Sequence, residues 1–304
     1  MPRLLCEIIK ADKMAEYCDF DWTGYRVPIS PSSAPYTPTK EVPLGKEEAL
    51  KVLKSKVDSN KELPEMTDMF LLRFLHARKM KVEESYHLLC RYHQYRKENP
   101  ALFANMNLND TLIQQALYDG FPGVLANRDR RGRCVLVFFC NHWDHSNYSL
   151  EVIYRSLLLT LDRLLEQEEN QINGFVFIVD WTDFSLRQST NISPRVLKSM
   201  VEGLQDCFPA RFKGVHFVNQ PWYIEAALMV VKPFLKEKTK EKIWMYGNNL
   251  SALHEAVNAD LLPAELGGEL PTHKPASWAD YMLTSDASSR WKEKDIGKVY
   301  PDEN

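Results

Sequence analysis

Residues 209–243 decide the fold, and they read PARFKGVHFVNQPWYIEAALMVVKPFLKEKTKEKI. The first part, from Val215 to Val218, has the apolar pattern of a buried strand. The middle part, from Pro221 to Leu235, is typical of a helix, because Asn219 can cap it and proline suits its first turn. The sequence therefore predicts a strand that leads directly into a helix.

The predicted helix is apolar over most of its circumference, with Glu225 and Lys232 as its charged residues. Such a helix is either buried or in contact with lipid, but about 20 apolar residues are needed to span a bilayer. Two interpretations stay open: a moving cover over an apolar cavity that works at a membrane surface, or a core helix with a solvated basic end. The basic end consists of Lys236, Lys238, Lys240 and Lys242.

The overall composition is that of an ordinary globular protein with one large domain or two modest ones. Among the 304 residues, 44% are hydrophobic and 26% are charged. The formal net charge of −3 argues against a dedicated nucleic-acid binder. Residues 209–243, in contrast, hold seven lysines and arginines and three glutamates. A basic segment within an acidic chain is suited to anionic lipid headgroups.

The sequence favours a cytoplasmic protein. Residues 1–13, MPRLLCEIIKADK, lack the apolar core of a signal peptide, and no apolar run is long enough to span a membrane. Six cysteines are scattered without a CxxC pair, so we expect free thiols rather than disulfides or a zinc site. They are Cys6, Cys18, Cys90, Cys134, Cys140 and Cys207.

The chain divides into four predicted parts. Residues 1–45 are an irregular extension rich in proline, serine and threonine. Residues 46–116 carry apolar residues at helical spacing and predict a small helical bundle. Residues 117–280 form the main domain, and residues 281–304 are a charged tail. We expect the aromatic residues of the extension to dock on the globule, with a partner-binding motif as the alternative; they are Tyr17, Phe20, Trp22 and Tyr25.

Four apolar segments alternate with helical segments in the main domain. Residues 134–140, CVLVFFC, and 175–181, FVFIVDW, read as strands that are buried on both faces. Residues 214–219 and 243–247 supply two more strands. This order is typical of an α/β fold with a mostly parallel sheet covered by helices. The crossover helices are predicted at 147–169, 193–208 and 221–235.

The chain lacks the short motifs of catalysis and nucleotide binding, among them GxGxxG, GxxxxGK[ST], GxSxG and HExxH. His142, Asp144 and His145 follow a strand and suggest a metal site, but a further ligand with suitable spacing is missing. Asp180 ends a strand, where ligands often bind, although a carboxylate there also caps turns. The pattern favours a binding module that is not an enzyme and has no cofactor or metal; a lipid hydrolase is the alternative.

Apolar faces are more extensive than a packed sheet needs. Each face alone indicates core packing, but together with the helix at 221–235 they predict the lining of a cavity. The candidate lining residues are Tyr154, Leu157, Leu161, Phe175, Phe177, Val179, Met200, Leu204, Phe208, Val215, Ile224 and Leu228.

Seven ordered segments of the chain resemble the CRAL-TRIO family. The resemblance runs from about residue 46 to residue 280, and it is greatest with the branch of the clavesins, alpha-tocopherol transfer protein and cellular retinaldehyde-binding protein. The segments are LLRFLHARKMKVEESYHLL (71–89), DGFPGVLANRDRRGR (119–133), NGFVFIVDW (173–181), DCFPARFKGVHFVNQPW (206–222), KPFLKEKTKEKI (232–243), YGNNLSALH (246–254) and LPAELGG (262–268).

This resemblance implies a small N-terminal helical domain followed by an α/β lipid-binding domain, in which the helix at 221–235 is a mobile gate. Family members bind one hydrophobic molecule in a closed cavity and release it at membranes, without enzymatic activity. In the tocopherol transfer branch, four basic residues near the gate hold a phosphatidylinositol bisphosphate headgroup. The corresponding residues here are Arg211, Lys213, Lys238 and Lys242. Their spacing, two in an extended segment and four on a helix, lets each pair face one way.

The resemblance also implies a cavity that differs from that of tocopherol transfer protein. Leu157 and Leu161 stand where that branch has serines, and Phe175 stands where it has isoleucine. We expect an apolar cavity for a tocopherol-, retinoid- or other isoprenoid-like lipid that is transferred at phosphoinositide-containing membranes. The alternative is a phosphoinositide-binding adaptor or sensor with a partner in the trafficking machinery. Either function implies reversible association with membranes, endosomal or trans-Golgi among them.

Overall fold

The computed structural model describes residues 44–284. Outside the described residues lie 1–43 of the predicted extension, with Cys6, Cys18 and the aromatic residues near position 20, and 285–304 of the predicted tail. Helices come first, and helices then alternate with strands, so the α/β class and the helical N-terminal part predicted from the sequence are confirmed.

The first four of five N-terminal helices form a bundle around fully buried apolar residues such as Leu53, Phe74 and Leu89. Thr67 caps the second helix, since its side chain accepts a hydrogen bond from the Phe70 N–H. The helices are α1 Lys46–Asp58, α2 Asp68–Ala77, α3 Val82–Glu98, α4 Pro100–Phe103 and α5 Thr111–Tyr118.

A five-stranded sheet follows, with its strands in the order of the chain. The first two strands are antiparallel, and every later pair is parallel, as predicted. The first strand was not predicted, because two residues are too few for a hydrophobic pattern. The strands are β1 Gly123–Val124, β2 Cys134–Phe139, β3 Phe175–Asp180, β4 Phe212–Val218 and β5 Ile243–Met245.

The helices that connect the parallel strands lie together on one face of the sheet. Neighbouring parallel strands joined by right-handed crossovers place each connection on the same side. The connection from β2 to β3 contains α6 Leu150–Leu164 and α7 Glu168–Asn173. The connection from β3 to β4 contains α8 Leu186–Ser189 and α9 Pro194–Glu202, and α9 continues as a π-helical turn, Gly203–Cys207. From β4 to β5 they are α10 Trp222–Val231, a 3₁₀ turn Lys232–Phe234 and α11 Glu237–Lys240; α12 Leu250–Ala256 and α13 Pro275–Thr284 follow.

The two faces of the sheet bury separate apolar clusters. Leu136 and Phe138 of β2 face the crossover helices, while Val135 and Val137 face the opposite side. The opposite cluster is closed by α12 and the loop after it, which contribute residues such as Leu253. The crossover face is therefore the side on which the predicted cavity must lie.

The single long helix predicted at 147–169 is wrong, because the chain turns between α6 and α7. Side chains from α7 make this break favourable. The amide of Asn170 donates to the Leu164 carbonyl at 2.7 Å, and the amide of Gln171 donates to the Leu165 carbonyl at 2.7 Å. The backbone carbonyls at the end of α6 thus accept hydrogen bonds from side chains, although the helix ends there.

The predicted cap at Asn219 is also wrong, since α10 begins at Trp222 with Pro221 as its cap residue. Asn219 has a positive φ of 54°, and its amide donates to Asp180 Oδ1 at 3.0 Å and Thr182 Oγ1 at 2.8 Å. The Asp180 carboxylate also accepts from the Thr182 N–H at 3.0 Å. Asp180 therefore stabilises the turn after β3. The sequence had left two roles open for it, a contact with a ligand and the capping of a turn.

Gly203 joins the helical bundle to the main domain. The Tyr95 hydroxyl donates to the Ser199 carbonyl at 2.7 Å and lies 3.2 Å from the Tyr154 hydroxyl. A Cβ atom at position 203 would come within 2.0 Å of that Tyr154 oxygen and 2.9 Å of the Tyr95 ring. The two tyrosines can therefore pack this closely against position 203 only because glycine has no side chain there.

Gly203→Ala should lower the free energy of unfolding by about 1–3 kcal/mol, because the tyrosines must shift out of a packed junction. Urea unfolding measures the change. Gly45→Ala is the control, since a Cβ there meets nothing within 4 Å, and it should change stability by less than about 0.5 kcal/mol. Equal effects of the two substitutions would contradict the tight junction.

Candidate functional site

All twelve predicted lining residues lie in one apolar cluster on the crossover face of the sheet. Seven of them are buried: Tyr154, Leu157, Leu161, Phe175, Phe177, Phe208 and Ile224. The other five pack against the cluster but keep accessible surface: Val179, Met200, Leu204, Val215 and Leu228. The structure thus brings the set together, and the role of each residue in ligand binding stays a prediction.

The buried and the partly exposed residues occupy different ends of the cluster. Around α6 the packing is dense, and Leu161 and Phe175 are fully buried. Tyr154 is fully buried too, and its hydroxyl faces Tyr95 of the helical bundle. This end of the cluster is filled by protein atoms.

The opposite end, between α9, α10 and the strands β3 and β4, is loosely filled. No residue of α9 is buried, and α10 buries Ile224 and Val231 alone. Val179 and Val215 point toward these helices from the sheet and stay partly exposed. Protein interiors are normally close-packed, so inward-facing apolar residues with free surface mark this end of the cluster as less tightly packed than the end at α6. This is the end at which the predicted ligand is expected to bind.

Sequence reasoning missed two aromatic residues of this lining. The Phe177 ring lies 5.2 Å from the Phe212 ring and 5.7 Å from the Phe138 ring, both in edge-to-face contact. Strict alternation would place Phe212 and Val215 on opposite faces, but the β3–β4 register skips Lys213. A β-bulge at Lys213 therefore turns Phe212 toward the cluster.

The outer face of α10 is also apolar, and it is exposed. Trp222 and Met229 are 53% and 55% exposed, and Val230 and Phe234 are exposed to a similar degree. Trp222 and Met229 are two helical turns apart, on the side away from Ile224. The helix therefore has apolar residues on both sides, one toward the cluster and one toward the surroundings.

Few polar contacts hold α10 and the turn that follows it. Near its start, the Tyr223 hydroxyl donates to the Phe184 carbonyl. Near its end, the Gln205 side chain accepts from the Lys236 N–H at 2.8 Å, and the Lys236 amine pairs with Asp206. Since α10 buries little apolar area, these end contacts fix its position to a large degree.

The four predicted headgroup residues form one basic patch at the start of β4 and the start of β5. This basic patch is Arg211, Lys213, Lys238 and Lys242. The Arg211 guanidinium donates to the Ile172 carbonyl at 2.7 Å, and the Lys242 amine donates to the Phe212 carbonyl at 3.0 Å. Lys242 lies beyond the end of α11, where its carbonyl accepts from the Val215 N–H at 2.8 Å. Strand pairing, and not helical spacing, therefore places Lys242 beside the β4 residues.

Burial disfavours the charges of Arg211, Lys213 and Lys242, and neighbouring positive charges add to this effect at the two lysines. Burial lowers the pKa of Lys213, and the charges of Arg211 and Lys242 lower it further. The pKa of Lys242 is lowered by burial first and then by Arg211 and Lys238. Burial also lowers the pKa of Arg211. An anion at this position would relieve both effects.

Carboxylates of the described residues do not neutralise the patch. Within residues 44–284, none of its four members forms an ion pair with Asp or Glu. Two neighbouring lysines differ, because Lys236 pairs with Asp206 and Lys240 pairs with Glu237. Among the described residues, the patch thus differs from Lys236 and Lys240 in having no carboxylate partner.

Two further basic residues near the patch were missed in the sequence. The charges of Lys79 and Arg133 also lower the pKa of Lys213, so both lie near it. Lys79 sits in the α2–α3 turn, where Lys79 and Met80 both have positive φ, 55° and 61°. Arg133 pairs with the buried Asp129. The left-handed turn is a tertiary feature that local sequence does not reveal.

The alternative metal site is not formed in the part of the chain that the structure describes. His, Cys, Asp and Glu side chains there do not gather in threes that could hold an ion. The Asp144 carboxylate instead accepts a hydrogen bond from the Ser146 N–H at 3.1 Å.

No helix among residues 44–284 is long and apolar enough to cross a bilayer.

Comparison with known proteins identifies the domain. A CRAL/TRIO domain matches residues 118–268. Clavesin-1 of Xenopus laevis is 50% identical over 219 residues, which are 72% of this chain and 66% of that protein. Clavesin-2 of Homo sapiens is 49% identical over 216 residues, which are 71% of this chain and 66% of that protein. The chain thus matches just under two thirds of the length of these relatives.

A solved structure supports the same fold at low sequence identity. The crystal structure of Sfh5 superposes with a TM-score of 0.50 at 13% identity, over 84% of this chain and 96% of that chain. The CRAL/TRIO and clavesin matches confirm the family resemblance predicted from the ordered motifs, and the superposition confirms the fold.

Lys213→Met should raise the free energy of unfolding at pH 7 by roughly 0.5 kcal/mol, because a disfavoured charge is removed and the apolar stem is kept. The pKa of Lys213 is lower in the folded chain than its usual 10.5, so its charge costs stability below that lowered pKa. As the pH rises toward 10.5, the folded chain loses this proton first, and the gain should disappear.

Denaturant unfolding at pH 7 and above pH 10 measures the effect. Lys240→Met is the matched control, since its amine pairs with Glu237 at 2.7 Å and its loss should bring no gain. A loss of stability for Lys213→Met at pH 7 would contradict an electrostatically strained patch.

Proposed function

The chain belongs to the CRAL/TRIO family of lipid-binding proteins, and we propose that it carries one small hydrophobic molecule and releases it at phosphoinositide-containing membranes. It does so as a carrier and not as an enzyme. The observation that supports this most is α10, which is apolar on both sides and lies close in sequence to a basic patch that forms no ion pair with Asp or Glu of residues 44–284. A tocopherol-, retinoid- or other isoprenoid-like lipid suits the apolar lining.

Holding the ligand is favourable in water. Burying on the order of 400 Å² of an isoprenoid-sized molecule contributes about 10 kcal/mol before ordering costs. Opening α10 would expose the ligand, the inner face of the helix and the partly filled end of the cluster together. Escape into water is therefore slow, and the carrier keeps its cargo between membranes.

A membrane changes this balance in favour of the open state. The four exposed residues on the outer side of α10 and its following turn each gain about 1 kcal/mol when their free surface meets acyl chains. The four residues of the basic patch each gain about 1 kcal/mol near anionic headgroups. Because the open state makes more of these contacts, the membrane shifts the population toward it.

The alternative function is a phosphoinositide-binding adaptor or sensor of trafficking membranes. It uses the same basic patch, and it differs in that a lipid in the cavity would be structural and not cargo. The similarity to the clavesins supports this alternative as much as it supports transfer. A sensor binds phosphoinositide vesicles but does not move its ligand between them.

Arg211→Ala combined with Lys213→Ala should slow ligand transfer to vesicles that contain phosphatidylinositol bisphosphate by about 10- to 30-fold, because two headgroup contacts are lost. Transfer of a fluorescent isoprenoid-like lipid between vesicles measures this rate. Transfer to neutral vesicles should hardly change. The control, Lys51→Ala with Lys240→Ala, removes the same charge outside the patch. Equal rates for the patch variant and the parent chain would overturn the electrostatic role.

Trp222→Ser combined with Met229→Ser should instead slow transfer to neutral and to phosphoinositide vesicles alike, since apolar contact with acyl chains does not depend on the headgroup. The same transfer assay reads the effect, and about a 10- to 30-fold loss is expected from two lost contacts of about 1 kcal/mol each. Met69→Ser with Leu112→Ser is the matched control, because both residues are exposed on the N-terminal helices. A loss confined to phosphoinositide vesicles would contradict insertion of α10.

A further inference from the structure

The extension at residues 1–43 joins the described structure beside the basic patch. The Leu44 N–H donates to the Met80 carbonyl at 3.4 Å, and Met80 is the neighbour of Lys79 in the left-handed turn. The charge of Lys79 lowers the pKa of Lys213, so this turn and the patch are close in space. Contacts through α7 agree, since His76 of α2 meets Glu168 at 3.0 Å and Arg211 donates to the Ile172 carbonyl.

One segment of this extension has the charge that the patch lacks. Residues 16–22 read EYCDFDW, with three acidic residues and no basic residue among seven. The acids Glu16, Asp19 and Asp21 are interleaved with the aromatic residues Tyr17, Phe20 and Trp22. Carboxylates pair with lysine and arginine, and aromatic rings favour the faces of their cationic groups.

We propose that residues 16–22 dock on the basic patch within the same chain and compete there with the phosphoinositide headgroup. The inference rests on the proposed function, since it concerns the regulation of the same site. In the undocked chain the patch is available to the membrane, and in the docked chain its charges are met by Glu16, Asp19 and Asp21. The extension is then an intramolecular brake on membrane association.

The connection is long enough for this contact. About 20 residues separate Trp22 from Leu44, which extend to about 70 Å at most and span on the order of 25 Å as a coil. The attachment point lies beside the patch, so a weak contact gains from a local concentration in the millimolar range. A membrane that presents many headgroups can displace a segment bound this weakly from the basic patch.

Carbodiimide coupling of the full chain without lipid tests the contact independently of membrane binding. The reagent joins carboxylates to amines that already touch, and peptide mapping of the monomer locates the bond. We expect links from Glu16, Asp19 or Asp21 to Lys213, Lys238 or Lys242, and we expect inositol 1,4,5-trisphosphate to suppress them. Links that form in dimers alone, or no links to the patch, would overturn the intramolecular contact.

Vesicle sedimentation tests the consequence. The triple variant Glu16→Gln, Asp19→Asn and Asp21→Asn should bind vesicles with phosphatidylinositol bisphosphate about three- to tenfold more tightly than the parent chain. The control is Glu7→Gln with Asp12→Asn and Glu41→Gln, which changes the net charge equally and should leave affinity nearly unchanged. If both triple variants increase the affinity for these vesicles equally, net charge alone explains the increase, and the docking is overturned.

The two proposals fail in different ways. If Arg211→Ala with Lys213→Ala leaves vesicle binding unchanged, the headgroup site is wrong, whatever the coupling experiment gives. If that variant weakens binding but the acidic triple variant does not strengthen it, the headgroup site stands and the docking is wrong.

Discussion

The order of the strands is the constraint on which the site depends. Four parallel strands in chain order place all their crossover helices on one face, so α6, α9 and α10 must share one apolar surface. α6 covers its share with closely packed side chains, whereas α9 buries none of its residues and α10 buries two. The looser packing at this end is therefore a consequence of topology and of the side chains on two helices. One of these helices, α10, is also apolar on its outer side.

The same stretch of chain combines this apolar element with basic residues that form no ion pair with carboxylates of residues 44–284. Lys213 is the extra residue of a β-bulge, so Phe212 joins the lining and Val215 keeps its inward position. The backbone that adds Phe212 to the apolar cluster thus also carries part of the basic patch. Because the two are close in sequence, the proposed headgroup site lies near α10. The proposed cargo site and the proposed headgroup site are therefore joined by one stretch of chain, without a long path between them.

Much of this arrangement was predicted from the sequence, because strong hydrophobic periodicity marks β2, β3 and α6, and ordered motifs mark the family. The failures have local physical causes. The turn after Leu164 is stabilised by side chains of α7, and the left-handed Asn219 is fixed by Asp180; periodicity reveals neither. Lys79 is brought to the patch by tertiary packing. The bulge at Lys213 interrupts the alternation of side chains between the two faces of β4, so the face on which Phe212 lies does not follow from the sequence. The identity of the ligand depends on the shape of the space, which single residues do not define.

The central claim is that the space beneath α10 holds a hydrophobic molecule that membranes remove. Native mass spectrometry of the full chain tests it most directly, before and after incubation with vesicles that contain phosphatidylinositol bisphosphate. The account predicts one bound hydrophobic ligand for each chain, lost after incubation with these vesicles and largely kept after incubation with neutral ones. A chain that carries no ligand when purified and takes up no isoprenoid-like lipid would contradict it.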